Sequence, residues 1–432
     1  MQARLFTEDF KATPYWWDHA PRPQTPPSTL PKAVDVLVIG SGYTGLAAAL
    51  QTARGGRDTL VLDAEDLGWG CSTRNGGQVS TSVKPGYDEL ARRHGPETAH
   101  RIIKDGQNSL TWLAGFVADE AIECDFRVVG RFHAAHNASE YEALAQRVLV
   151  QPKGLEVEAH MVPRAEQRSE LGTDAYFGGA VYRQHASVDP GRLHQGMLDR
   201  VLAAGARAIG HCPATAIRRE GAGFVVETGL GIVSARQVVV ATNGYTGRLT
   251  PWLQRRVIPI GSYIIATEPL PPETMARLMP RGRIASDTRK VVHYYRPSPD
   301  GTRILFGGRV SFNETDPRVS GPLLHANLVA IFPELAQTRI SHSWCGFIAY
   351  TFDELMHVGE RDGLHYAMGY CGAGVGMSGY LGTRLGQQVL GLPEGRTGFD
   401  GLRFQTRPFY RGNPWFLAPS VMYYQWRDRR GR

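Results

Sequence analysis

The chain has 432 residues, of which 42% are hydrophobic and 21% charged, an ordinary balance for a globular protein, and this length predicts two domains or one large domain with a lobe. Its net charge is +7 and its basic residues are spread along the chain, apart from "RDRRGR" at its end, which argues for an anionic ligand or surface and against a nucleic-acid-binding stripe. No apolar run approaches the roughly 18 residues of a membrane span and no apolar leader opens the chain, so a soluble, cytoplasmic protein is expected.

Residues 1–33 are rich in proline and aromatics and read as an extended arm on the surface of the fold. The fold proper begins at "VDVLVIG", residues 34–40, a strand apolar enough to be buried on both faces. It runs into glycines, then into an alanine-rich helix ended by Gly55 and Gly56, then into a second strand over residues 58–64. Helical periodicity covers residues 87–119 and 138–148. A strand near 179–188 leads into a helix over 191–206, and short strands follow at 207–217, 223–228 and 232–241. Residues 257–312 alternate as antiparallel sheet does, with Pro299-Asp300-Gly301 as a hairpin signal. A helix near 320–332, a strand near 338–351 and a last strand-to-helix unit complete the chain.

This layout predicts an α/β fold in which a Rossmann-like domain carries an inserted, largely antiparallel sheet lobe. The nucleotide domain takes residues 34–86, 181–256 and 340–432, and the substrate lobe takes 87–180 and 257–339. The five cysteines, Cys71, Cys124, Cys212, Cys345 and Cys371, are odd in number and form no C-x-x-C, so reduced thiols are expected. His342 and Cys345 lack a second pair, and no metal site is expected.

Three segments carry chemistry. In "VLVIGSGYTG", Gly40, Gly42 and Gly45 stand in G-x-G-x-x-G register between a strand and a helix, and the intervening Ser41, Tyr43 and Thr44 present their backbone to the same turn. A pyrophosphate is expected on the helix N-terminus, where unpaired N–H groups and the helix dipole favour negative charge. Asp63, followed by Ala64, ends the second strand where a carboxylate accepts from a ribose diol. Next comes "WGCSTRNGGQ", Trp69 to Gln78, inside an aperiodic stretch of a length usually reserved for function. Reading it as a nucleophile site on Cys71 lacks a nearby activating histidine, which leaves Cys71 a packed thiol. The third segment, "YAMGYCGAGVGMSG", repeats the glycine register at Gly374, Gly376 and Gly379 but has no acid-ended strand after it, so one nucleotide is favoured over two.

The fingerprint, the acid-ended strand and "GWG-x-S-x-RNGGQ" together resemble the D-amino acid oxidase superfamily of FAD-dependent amine oxidoreductases, nearest the branch of γ-glutamylputrescine oxidase and L-pipecolate oxidase. The resemblance extends through "VVVATNGYTG", "GSYIIATEPL", "YYRPSPDGTRILFGGR" and "TFDELMHVG". It implies that Gly70, Ser72, Arg74, Asn75, Gly76, Gly77 and Gln78 wrap the cofactor, with Ala241 and Asn243 beside them. It also places Gly372, Ala373, Gly374, Val375, Gly376 and Met377 at the flavin's pyrimidine edge, where a helix dipole offsets charge on reduction. Where some relatives tether the flavin through a cysteine this chain has Ile348, so non-covalent FAD is implied.

The implied reaction is oxidation of an amine C–N bond to an imine by hydride transfer to flavin N5, with oxygen or a quinone-type acceptor closing the cycle. No general base is named, because such chemistry needs mainly orientation and an unprotonated amine. Substrate candidates are Tyr263, His293, Tyr295, Arg309 and Tyr350, with Asp353 near them; on a strand, His293 and Tyr295 share one face while Tyr294 and Arg296 share the other. Two other classes stay open: a nicotinamide-dependent or two-nucleotide reductase, and a flavin-containing tRNA-modification enzyme. The aromatic, basic end of the chain either packs on the lobe or touches a membrane surface.

Overall fold

The computed structural model describes residues 5–23, 29–309 and 315–430. The apolar run after the arm forms the strand Ala33–Ile39, joined through the helix Tyr43–Arg54 to the parallel strand Thr59–Leu62. All four residues of Thr59–Leu62 are buried, as a parallel strand covered on both faces requires. The parallel order runs Arg207–Ile209, Thr59–Leu62, Ala33–Ile39, Gly231–Val240 and Leu364–Met368, so distant segments of the chain assemble one sheet. An antiparallel meander, Ala214–Glu220 and Gly223–Thr228, extends from Gly231–Val240. The arrangement is the Rossmann-like half that the sequence predicts.

A second sheet of nine strands forms the lobe. Its middle runs Ile340–Tyr350, Ile258–Thr267, Ile304–Gly308, Tyr294–Pro297 and Ile284–Asp287, all antiparallel, and it then continues through Arg131–Ala134, Gly179–Tyr182 and Ala159–Val162. The Pro-Asp-Gly signal lies in the connection between Tyr294–Pro297 and Ile304–Gly308, with Gly301 at φ +72°. Tyr263, Tyr295, Phe306 and Phe332 centre the lobe's core.

Three boundaries differ from those expected. The arm is not a surface strap, because Phe6–Lys11 is a strand parallel to Ile340–Tyr350, and Tyr15 and Trp16 are buried against Ile264, Leu305 and Trp344. The strand Ile340–Tyr350 belongs to the lobe's sheet, although residues 340–432 were assigned to the nucleotide domain. The helices Tyr87–His94 and Pro96–Asp119, assigned to the lobe, share a core with the helices Tyr43–Arg54 and Gly374–Val389. Apolar periodicity identifies an element and its buried face, but it does not name the neighbour that covers that face. Among the described residues no helix is long and apolar enough to cross a membrane, and no cluster of side chains is suited to a metal ion.

Candidate functional site

The site is built from the first glycine turn outward. Gly40 has φ +105°, and a Cβ there would stand 2.8 Å from the carbonyl oxygen of Ala241 on the neighbouring strand's end. Gly45 is tighter still, since a Cβ would lie 1.9 Å from the Gly40 oxygen. The helix therefore starts almost on top of the strand, with Gly42 as an N-cap that offers no side-chain acceptor. Ser41 faces away from the ligand side. Its N–H and hydroxyl donate to Asp63 Oδ2, and its Oγ accepts from Gly68 N at 2.8 Å, so it sets the acid's position. Buried His194 supports the same turn from behind: Arg22 donates to its Nδ1 at 3.2 Å, which leaves Nε2–H to donate to the Ser41 carbonyl at 2.7 Å.

The loop Trp69–Gln78 divides into two halves. In the first, Gly70, Cys71, Ser72 and Asn75 face a cavity, and Ser72 Oγ accepts from the N–H of Tyr43 at the helix start at 2.9 Å. In the second, Gly76 abuts the Tyr294 ring, Gly77 lies against Val188 and Arg296, and Gln78 donates to the carbonyls of Ala285 and Tyr295. Arg74 lies outside the cavity's lining. Its guanidinium is stacked between Trp17 and Trp69, 4.8 and 4.2 Å from the ring centroids, and donates to the carbonyls of Trp69 and Cys345. Around it the indole N–H groups of Trp16, Trp17 and Trp344 donate to Asn75 O, Thr73 Oγ1 and Arg74 O. Three tryptophans from remote parts of the chain thus hold the loop, two by its backbone and Trp17 by the Thr73 hydroxyl.

The helix Gly374–Val389 approaches the same cavity with its N-terminus. Thr44 Oγ1 and Tyr370 Oη are 2.6 Å apart, which joins the two helix starts. Of the second glycine register only Gly374 lines the cavity. A Cβ at Gly376 would meet Ser109 at 3.2 Å and one at Gly379 would meet the Trp112 ring at 2.4 Å, so both serve helix packing. Ala373 and Met377 stand behind the lining, with Met377 in the core. The register that raised a two-nucleotide reductase is accounted for by these neighbours.

The cavity has a volume of about 660 Å³, within the range of cofactor sites. Of the residues named from sequence, Gly40, Gly42, Tyr43, Thr44, Asp63, Ala64, Gly70, Ser72, Asn75, Ala241, Asn243, Gly372, Gly374 and Val375 line it. Ser41, Gly45, Arg74, Gly76, Gly77, Gln78, Ala373, Gly376 and Met377 do not. Several lining residues were not named as cofactor contacts from sequence: Leu62, Trp69, Cys71, Cys212, Pro213, Ala214, Tyr245, Arg248, Phe347, Ile348, Ala349, Tyr370 and Cys371. For Tyr245 a signal existed, since it sits in "ATNGYTG" directly after a strand of the parallel sheet. Arg248, four residues after Gly244, supplies the lining's guanidinium.

This donor set fits FAD. Two helix N-termini and Arg248 suit phosphates, Asp63 suits a diol, and an apolar end of Phe347, Ile348 and Ala349 suits a flat ring. Burial raises the thiols of Cys71 and Cys371 to about 12, so neither is a thiolate nucleophile at neutral pH.

The substrate candidates separate. Tyr295 is fully buried, hydrogen-bonded to the Tyr176 hydroxyl and stacked on Phe306, so it is a core residue. His293 is held by Asp287, whose Oδ1 accepts its backbone N–H and whose Oδ2 lies 3.4 Å from its ring. Their strand's other face is the one that meets the loop, through Tyr294 on Gly76 and Arg296 on the Gly77 carbonyl. Asp353 is hydrogen-bonded to His357 Nε2 at 3.2 Å. Tyr350, raised to about 12 by burial, has its hydroxyl 3.7 Å from where a Gly372 Cβ would be, which puts it at the cavity's edge. Arg309 lies near Tyr350 and Tyr263; burial lowers its pKa, and it has no carboxylate partner among the described residues.

The family model for FAD dependent oxidoreductases (DAO) matches residues 35–388. The chain belongs to this family. It is 32% identical to the probable oxidoreductase OrdL of Rhizobium meliloti over 425 residues, covering 96% of this chain and 97% of the relative. It is 30% identical to the gamma-glutamylputrescine oxidoreductase of Escherichia coli over 407 residues, covering 92% and 93%. Among solved structures, glycine oxidase from Geobacillus kaustophilus superposes with a TM-score of 0.74 at 19% identity, covering 88% of this chain and 99% of that one. The L-proline dehydrogenase from P. horikoshii gives 0.70 at 17%, covering 90% and 99%. The chain is thus an FAD-dependent oxidoreductase of the DAO fold, as the glycine fingerprint and the long polar loop imply.

Proposed function

We propose that this chain oxidises the C–N bond of an amine or amino acid to an imine, with FAD held non-covalently in the 660 Å³ cavity. The observation that carries the reading is the convergence of the Gly40–Gly45 turn, Asp63, Ser72 and the Gly374–Val389 helix start on that one cavity, with Tyr350 at its edge and Arg309 near Tyr350. When bound, FAD supplies the two-electron acceptor for hydride from the substrate carbon.

The chain's own residues do the positioning. Gly42, Tyr43 and Arg248 bind the pyrophosphate, and Asp63, oriented by Ser41, accepts from the ribose. The Gly374–Val389 helix start meets the ring's polar edge. Arg309, which has no carboxylate partner among the described residues, takes the substrate's carboxylate, and Tyr350 shapes the wall around the amine, whereas Tyr263 is fully buried in the lobe's core. An amine tethered to an amino acid, such as γ-glutamylputrescine, or a secondary amino acid such as L-pipecolate, satisfies that arrangement. The 30% identity to a gamma-glutamylputrescine oxidoreductase over nearly the whole chain supports the first. Re-oxidation falls to oxygen or a quinone-type acceptor.

The test is anaerobic reduction of the purified holoenzyme by γ-glutamylputrescine, pipecolate, proline, sarcosine, glycine and D-alanine in turn. Loss of the flavin band near about 450 nm with one of them supports the reading. A fully oxidised flavin with all of them contradicts amine oxidation and favours a modification enzyme.

A further inference from the structure

The last thirty residues hold seven arginines, at 403, 407, 411, 427, 429, 430 and 432, against one aspartate, Asp428. Since the whole chain carries +7, the preceding 402 residues are nearly neutral and the positive charge is local. The same segment gathers the exposed aromatics. Among the described residues, every exposed large aromatic lies between 409 and 426, including Phe409 at 93%, Trp415 at 70% and Tyr423 at 54%, with Met422 at 62%. Isolated exposed aliphatics are common on any surface, but a set of rings confined to one basic segment is not.

The helix Leu417–Arg430 buries one face and leaves aromatic side chains exposed on the other. Leu417 and Val421, one turn apart, are buried against Ile258, Ile260 and Tyr410, and this cluster also holds Ile348 and Tyr350. Met422 and Tyr423 point outward from the same helix. Its inner face is therefore satisfied, in a cluster that includes Ile348 of the cavity lining. Arg403, Arg407 and Arg411 are exposed on the approach to the helix.

We propose that residues 403–430 form a docking face for an anionic bilayer surface. Tryptophan and tyrosine settle where an apolar ring meets polar headgroups, and arginine meets lipid phosphate, so the composition matches that interface better than a protein groove. No helix long and apolar enough to span is present among the described residues, so the contact is peripheral. The inference deepens the functional reading by naming a surface whose supporting cluster reaches the cavity lining, and it is measured without turnover, so either can fail alone.

The experiment is flotation of full-length holoenzyme with vesicles of phosphatidylcholine alone and of phosphatidylcholine containing about a third phosphatidylglycerol. Binding at least about tenfold stronger to the anionic vesicles, and weakened by salt, is expected. The Arg427→Gln, Arg429→Gln, Arg430→Gln triple variant and the Trp415→Ser, Tyr423→Ser double variant should each lose about tenfold of that binding with the flavin spectrum unchanged. Equal partition onto both vesicles, no partition, or a patch covered by a second copy of the chain in light scattering would overturn the proposal.

Discussion

Two segments carry the same glycine spacing, Gly40–Gly45 and Gly374–Gly379, and they use it differently. In the first, Gly40 and Gly45 let backbone meet backbone, so the helix N-terminus is pressed against the strand end with Asp63 beside it. In the second, Gly374 reaches the cavity while Gly376 and Gly379 admit Ser109 and Trp112 from a neighbouring helix. The spacing reports close approach, and the partner decides whether the approach serves a ligand or a helix.

The comparison breaks most readily at the first turn. Gly45→Val puts side-chain atoms inside the Gly40 carbonyl and should cost more than about 3 kcal/mol, read as loss of the cooperative thermal transition and of bound flavin. Next in size are changes to the groups that meet the ligand. Asp63→Asn and Arg248→Met should each weaken FAD roughly tenfold to a hundredfold in a fluorescence titration, since the first removes the acceptor's charge opposite the ribose and the second the cation proposed to meet phosphate. Arg74→Met tests the other half of the loop: it leaves the lining intact and should act on melting temperature, by about 1–2 kcal/mol, more than on FAD affinity.

The first turn also has a proton-sensitive support. Burial lowers His194 from 6.5 to about 3, and likewise His185, which lies away from that turn beside Thr81. The unfolded chain therefore takes up these protons first as pH falls, so the stability they contribute is fully present above 6.5 and is lost between 6.5 and about 3. Each should contribute a slope of about 1.4 kcal/mol per pH unit in that window, and His194→Gln should make the melting temperature less dependent on pH there. The smallest effect belongs to the second register. Gly379→Ala gains helix propensity and crowds a movable Trp112 ring, so it should change stability by no more than about 2 kcal/mol and leave flavin content unchanged.

The turn, the acid-ended strand and the order of elements were legible because each is encoded within about thirty residues of chain. The division of the loop was not. Arg74 reads as a phosphate ligand until Trp17, 57 residues away, and Trp69 are seen to enclose it. Likewise, two-residue periodicity separated His293 and Tyr295 from Tyr294 and Arg296 correctly but gave no sign of which face meets the loop. The strand's own pairings, with Ile284–Asp287 and Ile304–Gly308, are local, and the choice of face rests on contacts with the loop such as Arg296 with Gly77, 219 residues apart. Cys71 was discounted for lacking an activating partner, which its raised pKa bears out, yet it still lines the cavity.

The most direct test is the flavin itself. Acid precipitation of purified protein should release FAD in equal amount to the chain and leave a colourless pellet, and Gly45→Val should carry none. Flavin that stays attached to the pellet, or a full complement of FAD in Gly45→Val, would contradict a non-covalent site built on the first glycine turn.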